Sequence, residues 1–332
     1  MKVNFLGNRY SQMELPWTEM SAVIFCALEE LGYDVRADKS LSFSRDLGVS
    51  RDLHKAPDLS IFNHITMDEL KYSSKLGPEN TLIWKPTGPD NGYFSIDSLG
   101  YAAHSSITYE KPDFEGSDDY LFFETTAKKL IEGKRTKWSD IAWHEEHFQD
   151  IRVQAVPQDH VLVLGQMGGD ETTTKMSFGH HYRKLEAIVE QLLILGEYKI
   201  VVKLHPYMKV RTSASDWDYW KRVIEAWTLS GVTVINDFTS LHDILPKTRV
   251  AVLENSTAGI ECLLHEVPII SYGYPEYHWV TKDLRHLLQV KEFVKDLSWW
   301  DSNLSRKWIS WYCTDYLCHD KESTIKRLKE LL

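Results

Sequence analysis

The feature that most constrains this chain is a regular alternation of short β-branched runs with amphipathic helical patterns. His160–Leu164, Lys199–Leu204, Val232–Ile235, Arg249–Leu253 and Pro268–Ser271 each read as a buried strand. Helical patterns fall between them at Tyr182–Leu195, Trp217–Leu229, Leu241–Leu245 and Ala258–Leu264. Alternation of this kind belongs to βαβ units around a parallel sheet. It predicts a five-stranded α/β domain in the second half. The first half shows the same pattern less fully: strands at Val3–Leu6, Leu59–Phe62 and Thr81–Trp84, and a helix over Thr18–Leu31 that stops at Gly32. With 332 residues there is room for two domains. We place them at 1–155 and 156–315, divided by the Pro-containing polar stretch near Val153–Asp159. The amphipathic helix of 316–332 is expected to pack back across both. The fold class is therefore α/β, two Rossmann-type domains, with ligands sought in the cleft between them beyond the carboxyl ends of strands.

Composition narrows the function classes. A hydrophobic fraction of 43% and a charged fraction of 26% are those of a globular protein, which excludes wholesale disorder. The net charge of −10 argues against nucleic-acid binding through bulk positive charge. Cys26, Cys262, Cys313 and Cys318 form no CxxC pair. Cys26 and Cys262 lie in apolar helical patterns and read as small core residues. That usage, with no signal-peptide h-region and no run of 18 apolar residues, points to a reducing cytoplasm and no transmembrane helix. The aromatic load is high, with 12 Trp, 16 Tyr and 12 Phe. Rings serve cores and sugar-stacking surfaces equally well, so this count does not choose between them.

Chemistry gathers at the strand ends. The first strand of the second half leads into Gly165-Gln166-Met167-Gly168-Gly169-Asp170, where paired glycines permit a sharp turn and place Asp170 beside it. The string reads either as a ligand-approaching loop or as a plain turn with a solvated Asp; it has neither GxGxxG nor a Walker lysine. The second strand ends in Lys203-Leu204-His205-Pro206, with Lys203 and His205 on one face, suited to an anion or simply to a strand end. The fourth leads into Glu254-Asn255-Ser256-Thr257-Ala258-Gly259-Ile260-Glu261, a good helix N-cap and so an anion site. Glu261 there could meet ribose hydroxyls or the helix dipole. The fifth ends in the aromatic loop Tyr272-Gly273-Tyr274-Pro275-Glu276-Tyr277. His144-Glu-Glu-His147 lacks zinc-protease spacing and reads as an exposed helix face. His180-His181, ahead of a helix, either approaches an anion or is solvated.

Taken in order, these strings resemble the bacterial capsule-polysaccharide synthesis family, the retaining β-Kdo transferases that use CMP-Kdo. Lys85-Pro-Thr-Gly-Pro with Tyr93-Phe-Ser-Ile-Asp97-Ser-Leu-Gly100-Tyr101 is similar to that family's "T-L-E-x-x-G" segment. Leu164-Gly-Gln166 with Asp170 is similar to "GQ…D", and Lys203-Leu-His205-Pro206 to "KxHP". Asn255-Ser-Thr257-Ala-Gly259-Ile-Glu261-Cys-Leu-Leu with Pro268 and Tyr272-Gly-Tyr-Pro is similar to "SSTxGxEAL…GxPV…YG". Asp97 stands where the family usually has Glu, and Cys262 where it has Ala; the first 80 residues match no motif.

The resemblance implies a GT-B arrangement with an N-terminal acceptor domain, a C-terminal donor domain and catalysis in the cleft. It implies Kdo transfer from CMP-β-Kdo to a glycan acceptor with retention, in capsule or O-antigen synthesis. By the same carry-over, Asp170 is the nucleophile, Asp97 its acid/base partner or positioner, and His205 and Lys203 stabilise departing CMP. Gln166, Gly168, Asn255, Ser256, Thr257, Glu261, Tyr272 and Gly273 complete the donor site. No metal or cofactor is expected, because CMP already leaves well. Trp84, Tyr93 and Tyr101 are expected to wall the acceptor side, and the Trp299–Tyr316 cluster to pack the C-terminal helices. Expected partners are the CMP-sugar donor and the glycan acceptor, with no nucleic acid. A peripheral place at the inner membrane face, or a partner glycosyltransferase, is compatible with this setting. The alternatives are a nucleotide-sugar epimerase, a transferase of a different 2-keto sugar acid, and a non-catalytic glycan-binding homologue.

Overall fold

The computed structural model describes residues 1–6, 15–38, 58–63, 81–137, 155–174, 176–177, 179–208 and 213–332. Trp138, Trp143 and the His144–His147 pair lie outside the described residues. Two compact units emerge: one of residues 1–110, 135–141 and 311–332, the other of 111–134 and 142–310. The strands in chain order are β1 (Lys2–Leu6), β2 (Asp34–Asp38), β3 (Leu59–Asn63), β4 (Thr81–Pro86) and β5 (Phe94–Asp97) in the first unit. Next come β6 (His160–Leu164), β7 (Ile200–Lys203), β8 (Thr233–Ile235), β9 (Thr248–Leu253), β10 (Ile269–Ser271) and β11 (Lys282–Asp283) in the second. Finally β12 (Leu317–Cys318) returns to the first sheet.

The first sheet has the order β12-β5-β4-β3-β1-β2. Its β1, β2, β3 and β4 run parallel, β5 pairs antiparallel with β4, and β12 pairs antiparallel with β5. Strand β3 is buried along its whole length, as parallel strands covered on both faces are. The helix Leu15–Glu30 contributes Met20, Ile24, Ala27 and Leu28 to a core shared with Val3, Phe5, Ile61 and Trp84. Its stop is where the sequence put it. Gly32 takes φ +81°, a left-handed conformation open to glycine without steric cost. Cys26, however, faces outward on this helix and is not a core residue, whereas Cys262 is buried as expected.

Strand β2 escaped the sequence reading because Asp-Val-Arg-Ala-Asp carries charge at alternate positions, the habit of an edge strand. The two-residue strands β11 and β12 are too short to leave a periodic signal.

The second sheet has the order β11-β10-β9-β6-β7-β8, with every pairing parallel. Counted from β6, that order is 3-2-1-4-5-6, the doubly wound dinucleotide-binding order. The five expected strands are present and β11 adds a sixth. Helix His181–Leu195 packs Leu185, Ile188, Val189 and Leu192 onto Val161, Val163 and Val202. Helix Ala214–Leu229 starts three residues earlier than its apolar pattern, because the Ser213 hydroxyl caps the Asp216 N–H.

Unit boundaries depart from a single break at 155/156. Residues 111–134 join the second unit through Arg306, which donates to Asp119 at 2.7 Å and lies 3.8 Å over the Phe123 ring, and through Lys307, which donates to the Glu115 carbonyl. Residues 311–332 join the first unit: β12 pairs with β5, and Leu328 of the terminal helix Lys321–Leu331 is buried in the same core as Ile24 and Leu28.

Candidate functional site

In a sheet of this order, the strand sequence reverses direction between β6 and β9, and loops leaving their carboxyl ends diverge to make room for a ligand. The two loops that leave there carry Gln166–Asp170 and Glu254–Thr257. They are tied together by a reciprocal pair: Gln166 Nε2 donates to Asn255 Oδ1 at 3.0 Å, and the Asn255 N–H donates to Gln166 Oε1 at 3.0 Å. Asn255 Nδ2 also donates to the Thr172 carbonyl at 2.9 Å. Gln166 and Asn255 are thus brought together as a buried bridge between the loops.

The turn after β6 ends at Asp170, an exposed residue. Its Oδ1 accepts from the Thr172 N–H at 2.9 Å and from Thr172 Oγ1 at 2.6 Å. Its carbonyl accepts from Thr173 and Thr174. The short helix Glu171–Thr174 therefore holds this carboxylate in a fixed orientation at the open end of β6. Gly168 donates its N–H to Tyr182 Oη at 2.9 Å, and a Cβ there would lie 2.5 Å from that ring.

After β9, Ser256 Oγ accepts the Ala258 N–H and its carbonyl accepts the Tyr277 hydroxyl. Ser256 and Thr257 are half-buried at the start of helix Ala258–Leu264, and Glu261 is buried one turn on. Tyr277 fills the space beside Gly259 so closely that a Cβ would fall 2.1 Å from its Cζ. Gly259→Ala is therefore expected to lower stability by ~1–3 kcal/mol through overpacking. Thermal unfolding of the variant would show it.

Lys203, at the end of β7, is buried and donates to the Asp237 carbonyl at 2.9 Å. Burial depresses its pKa to about 8, against the opposing pull of Asp237. His205 lies two residues beyond the strand, half-buried, with Nδ1 accepting the Tyr207 N–H at 3.2 Å, which leaves its Nε2 to carry the ring proton. Tyr272 and Gly273 follow β10. Tyr272 is buried and its hydroxyl has no hydrogen-bond partner among the described residues, while Gly273 lies against the Glu254 backbone.

Sequence reasoning passed over the group beneath these loops. Glu254 is fully buried, and its two oxygens take His181 Nδ1 on one side and Lys184 and Ser177 on the other. Burial pushes the Glu254 carboxyl up. The hydrogen bonds from His181, Lys184 and Ser177 outweigh that and leave it below the ordinary value. His181 Nε2 in turn accepts the Gln166 N–H at 3.0 Å. The available signal was Glu254 itself, a carboxylate directly after the apolar run of β9. Its partners lie 70 to 77 positions away in sequence, and of them only His181 stood out, as half of His180-His181.

Asp97, at the end of β5 in the first unit, has no exposed surface. Its oxygens accept from the N–H groups of Leu99 (2.7 Å), Gly100 (3.1 Å) and Ser106 (3.0 Å), from Ser106 Oγ (2.5 Å) and from Tyr316 Oη (3.0 Å). That arrangement fixes the 98–106 segment and the start of helix Ser106–Tyr109. Trp84 corrects the acceptor-wall expectation: it sits fully inside the core, stacked on Phe5 and edge-on to Phe94. Tyr101 is buried too, with Lys85 Nζ 3.8 Å above its ring. Only Tyr93 of the three is half-exposed, with its ring 5.2 Å from His319. Trp308, Tyr312 and Tyr316 are buried, as the packing role for the C-terminal aromatics requires. Among the described residues, no group of three or more His, Cys, Asp or Glu side chains is placed to hold a metal ion, and no helix is long and apolar enough to cross a membrane.

The model of the capsule polysaccharide biosynthesis protein family matches residues 114–291, more than half of the chain and nearly all of the second unit. This chain belongs to the capsule polysaccharide biosynthesis protein family. Family membership agrees with the ordered motifs, whose second, third and fourth blocks lie inside the matched stretch. Among solved structures, the chain is similar to the β-Kdo 2,7 transferase of Thermosulfurimonas dismutans KpsC, at TM-score 0.53 and 14% identity, covering 100% of this chain and 99% of that one. The β-Kdo 2,4 transferase of the same protein aligns at TM-score 0.51 and 15% identity, over 88% of this chain and 89% of that one. At these identities the likeness shows the fold, which is the expected GT-B-like class of two Rossmann-type units. No curated protein sequence matches the chain.

Proposed function

We propose that this member of the capsule polysaccharide biosynthesis family is a glycosyltransferase that moves Kdo from CMP-Kdo to a glycan acceptor with retention. The observation that carries the reading is Asp170: an exposed carboxylate, oriented by Thr172, at the carboxyl end of the strand where the sheet order reverses. The β-Kdo transferase fold shared over the full chain supports the sugar, and the ordered motifs support the donor.

In this mechanism an Asp170 oxygen attacks the anomeric carbon of Kdo while the bond to CMP breaks, its electron pair leaving on the CMP phosphate. An acceptor hydroxyl then attacks the anomeric carbon, the bond to Asp170 breaks with its electron pair returning to the carboxylate, and the hydroxyl proton passes to solvent. Two inversions give net retention. Lys203 and His205 stabilise the negative charge on the departing phosphate. Ser256, Thr257 and Glu261 bind phosphate and ribose, whereas the Tyr272 hydroxyl is enclosed within the fold and takes no part in donor binding. Asp97, enclosed by five donors, is given the role of holding the 98–106 segment and not of moving protons.

The reading is tested with CMP-Kdo generated in situ and a panel of synthetic acceptors, read by mass spectrometry. Transfer with retention supports it. Thermal stabilisation by UDP and not by CMP or CTP would overturn the donor assignment in favour of a nucleotide-sugar epimerase or another transferase.

A pH dependence follows from Lys203. It is a cation below about pH 8 and loses its charge above that value. CMP affinity measured by calorimetry is therefore expected to weaken as pH rises through about 8, with Lys203→Met removing that slope. The stability effect has the opposite sign. Between about 8 and 10.5 the unfolded chain holds the extra proton, so the penalty of burying this lysine shrinks as pH rises through that window.

A further inference from the structure

We infer that His181 is a positioning residue: with Glu254 it forms a buried clamp that fixes the Gln166–Asp170 turn. The inference rests on the reading of Asp170 as the reacting carboxylate. His181 and Glu254 have side chains 1% and 0% exposed, so neither reaches a ligand from where it stands. The direction of the bonds decides what they do. A ring nitrogen that accepts a backbone N–H carries no proton, so the Gln166 N–H at 3.0 Å marks Nε2 as the bare nitrogen. The ring proton is then on Nδ1, directed at the Glu254 carboxylate. Glu254 is held in turn on its other oxygen by Ser177 and Lys184, and Lys184 offsets its charge.

This pattern excludes a nucleophile–histidine–carboxylate triad. Ser177 donates to Glu254 and not to His181, and the nitrogen that would act as base already holds a backbone amide. What the clamp does is mechanical. The Gln166 N–H is the first amide of the turn whose far end is Asp170, and the Gln166 side chain is bonded to Asn255 of the neighbouring loop. His181 thereby fixes both the turn and its registration against the loop that carries Ser256 and Thr257. A displacement of about 1 Å at a reacting group can lower the rate ~100-fold without loss of binding.

The test compares wild type, His181→Phe, which keeps the bulk and removes both bonds, and His181→Gln, which restores an acceptor and a donor on one amide. In wild type, two-bond proton–nitrogen NMR correlations of the His181 ring should show the neutral Nδ1–H form; an Nε2–H ring overturns the clamp. With CMP-Kdo and acceptor, His181→Phe should lower kcat about 100-fold while CMP affinity stays within about threefold, and His181→Gln should recover kcat to within about tenfold of wild type. Unchanged kcat in His181→Phe, or loss of CMP binding in place of turnover, overturns the assignment. If His181→Phe does not fold, His181→Gln carries the test, and a kcat as low as that of an inactive enzyme counts against the clamp. Should wild type transfer no Kdo at all, the proposed function fails separately. Hydrogen exchange then decides: the amides of Gln166–Asp170 should exchange faster in the His181 variants than in wild type, and unchanged exchange rejects the clamp.

Discussion

Replacing Asp170 by Asn is expected to abolish Kdo transfer, lowering kcat by ~10⁴-fold or more, while CMP binding is kept. The expectation follows from the chemistry assigned to this carboxylate and from how closely an amide copies its shape. Asp170 is exposed, and its carboxylate makes its Thr172 bonds through a single oxygen that an Asn side chain also offers. The short helix it caps should therefore keep its Thr172 bonds in the substituted chain, and the loss falls on turnover. Intact-protein mass spectrometry provides the second measurement. Wild type incubated with CMP-Kdo should gain the mass of one Kdo residue, and Asp170→Ala should not. Activity surviving in Asp170→Asn would show that the nucleophile lies elsewhere.

Asp97→Ala is expected to act in the opposite manner, by unfolding. Its carboxylate answers the N–H groups of Leu99, Gly100 and Ser106 and the hydroxyls of Ser106 and Tyr316, in a place without solvent. Removal takes this acceptor from donors of which the Gly100 N–H and the Tyr316 hydroxyl are buried, and the cost is ~3–5 kcal/mol. Urea unfolding followed by tryptophan fluorescence would report the loss, since Trp84 is in the same unit's core. A variant as stable as wild type but inactive would restore Asp97 to proton transfer.

These two carboxylates show how far the sequence could be read. Both were found by their place in strings of residues, and local strings do locate strand ends: Gln166, Lys203, Asn255 and Tyr272 all follow or close strands as expected. The strings do not say whether a carboxylate faces water or five hydrogen-bond donors. For Asp97 one of those donors is Tyr316, 219 positions away. Trp84 failed for a related reason, because an aromatic residue beside a motif is as well suited to a core as to a sugar surface. The second unit was the more legible because its strands are continuous β-branched runs with helices between them. The first unit hides β2 behind alternating charge and takes its last strand from the far end of the chain. His181, Lys184 and Glu254 were invisible together since folding alone brings them into contact.

That last strand sets an order of events during synthesis. A sheet begun at Lys2 receives β12 only when Leu317 and Cys318 have been made, and its core receives Leu328 later still. Domains fold as their residues emerge, at about 5–20 residues per second. The doubly wound unit is complete in sequence by Ser310 and can fold while the first unit still lacks an edge strand and a helix. Between the end of β5 at Asp97 and the synthesis of β12, the growing chain thus carries an open sheet for ~10–45 s. Proteolysis and chaperone binding during synthesis should therefore register first in the unit whose sheet is still incomplete.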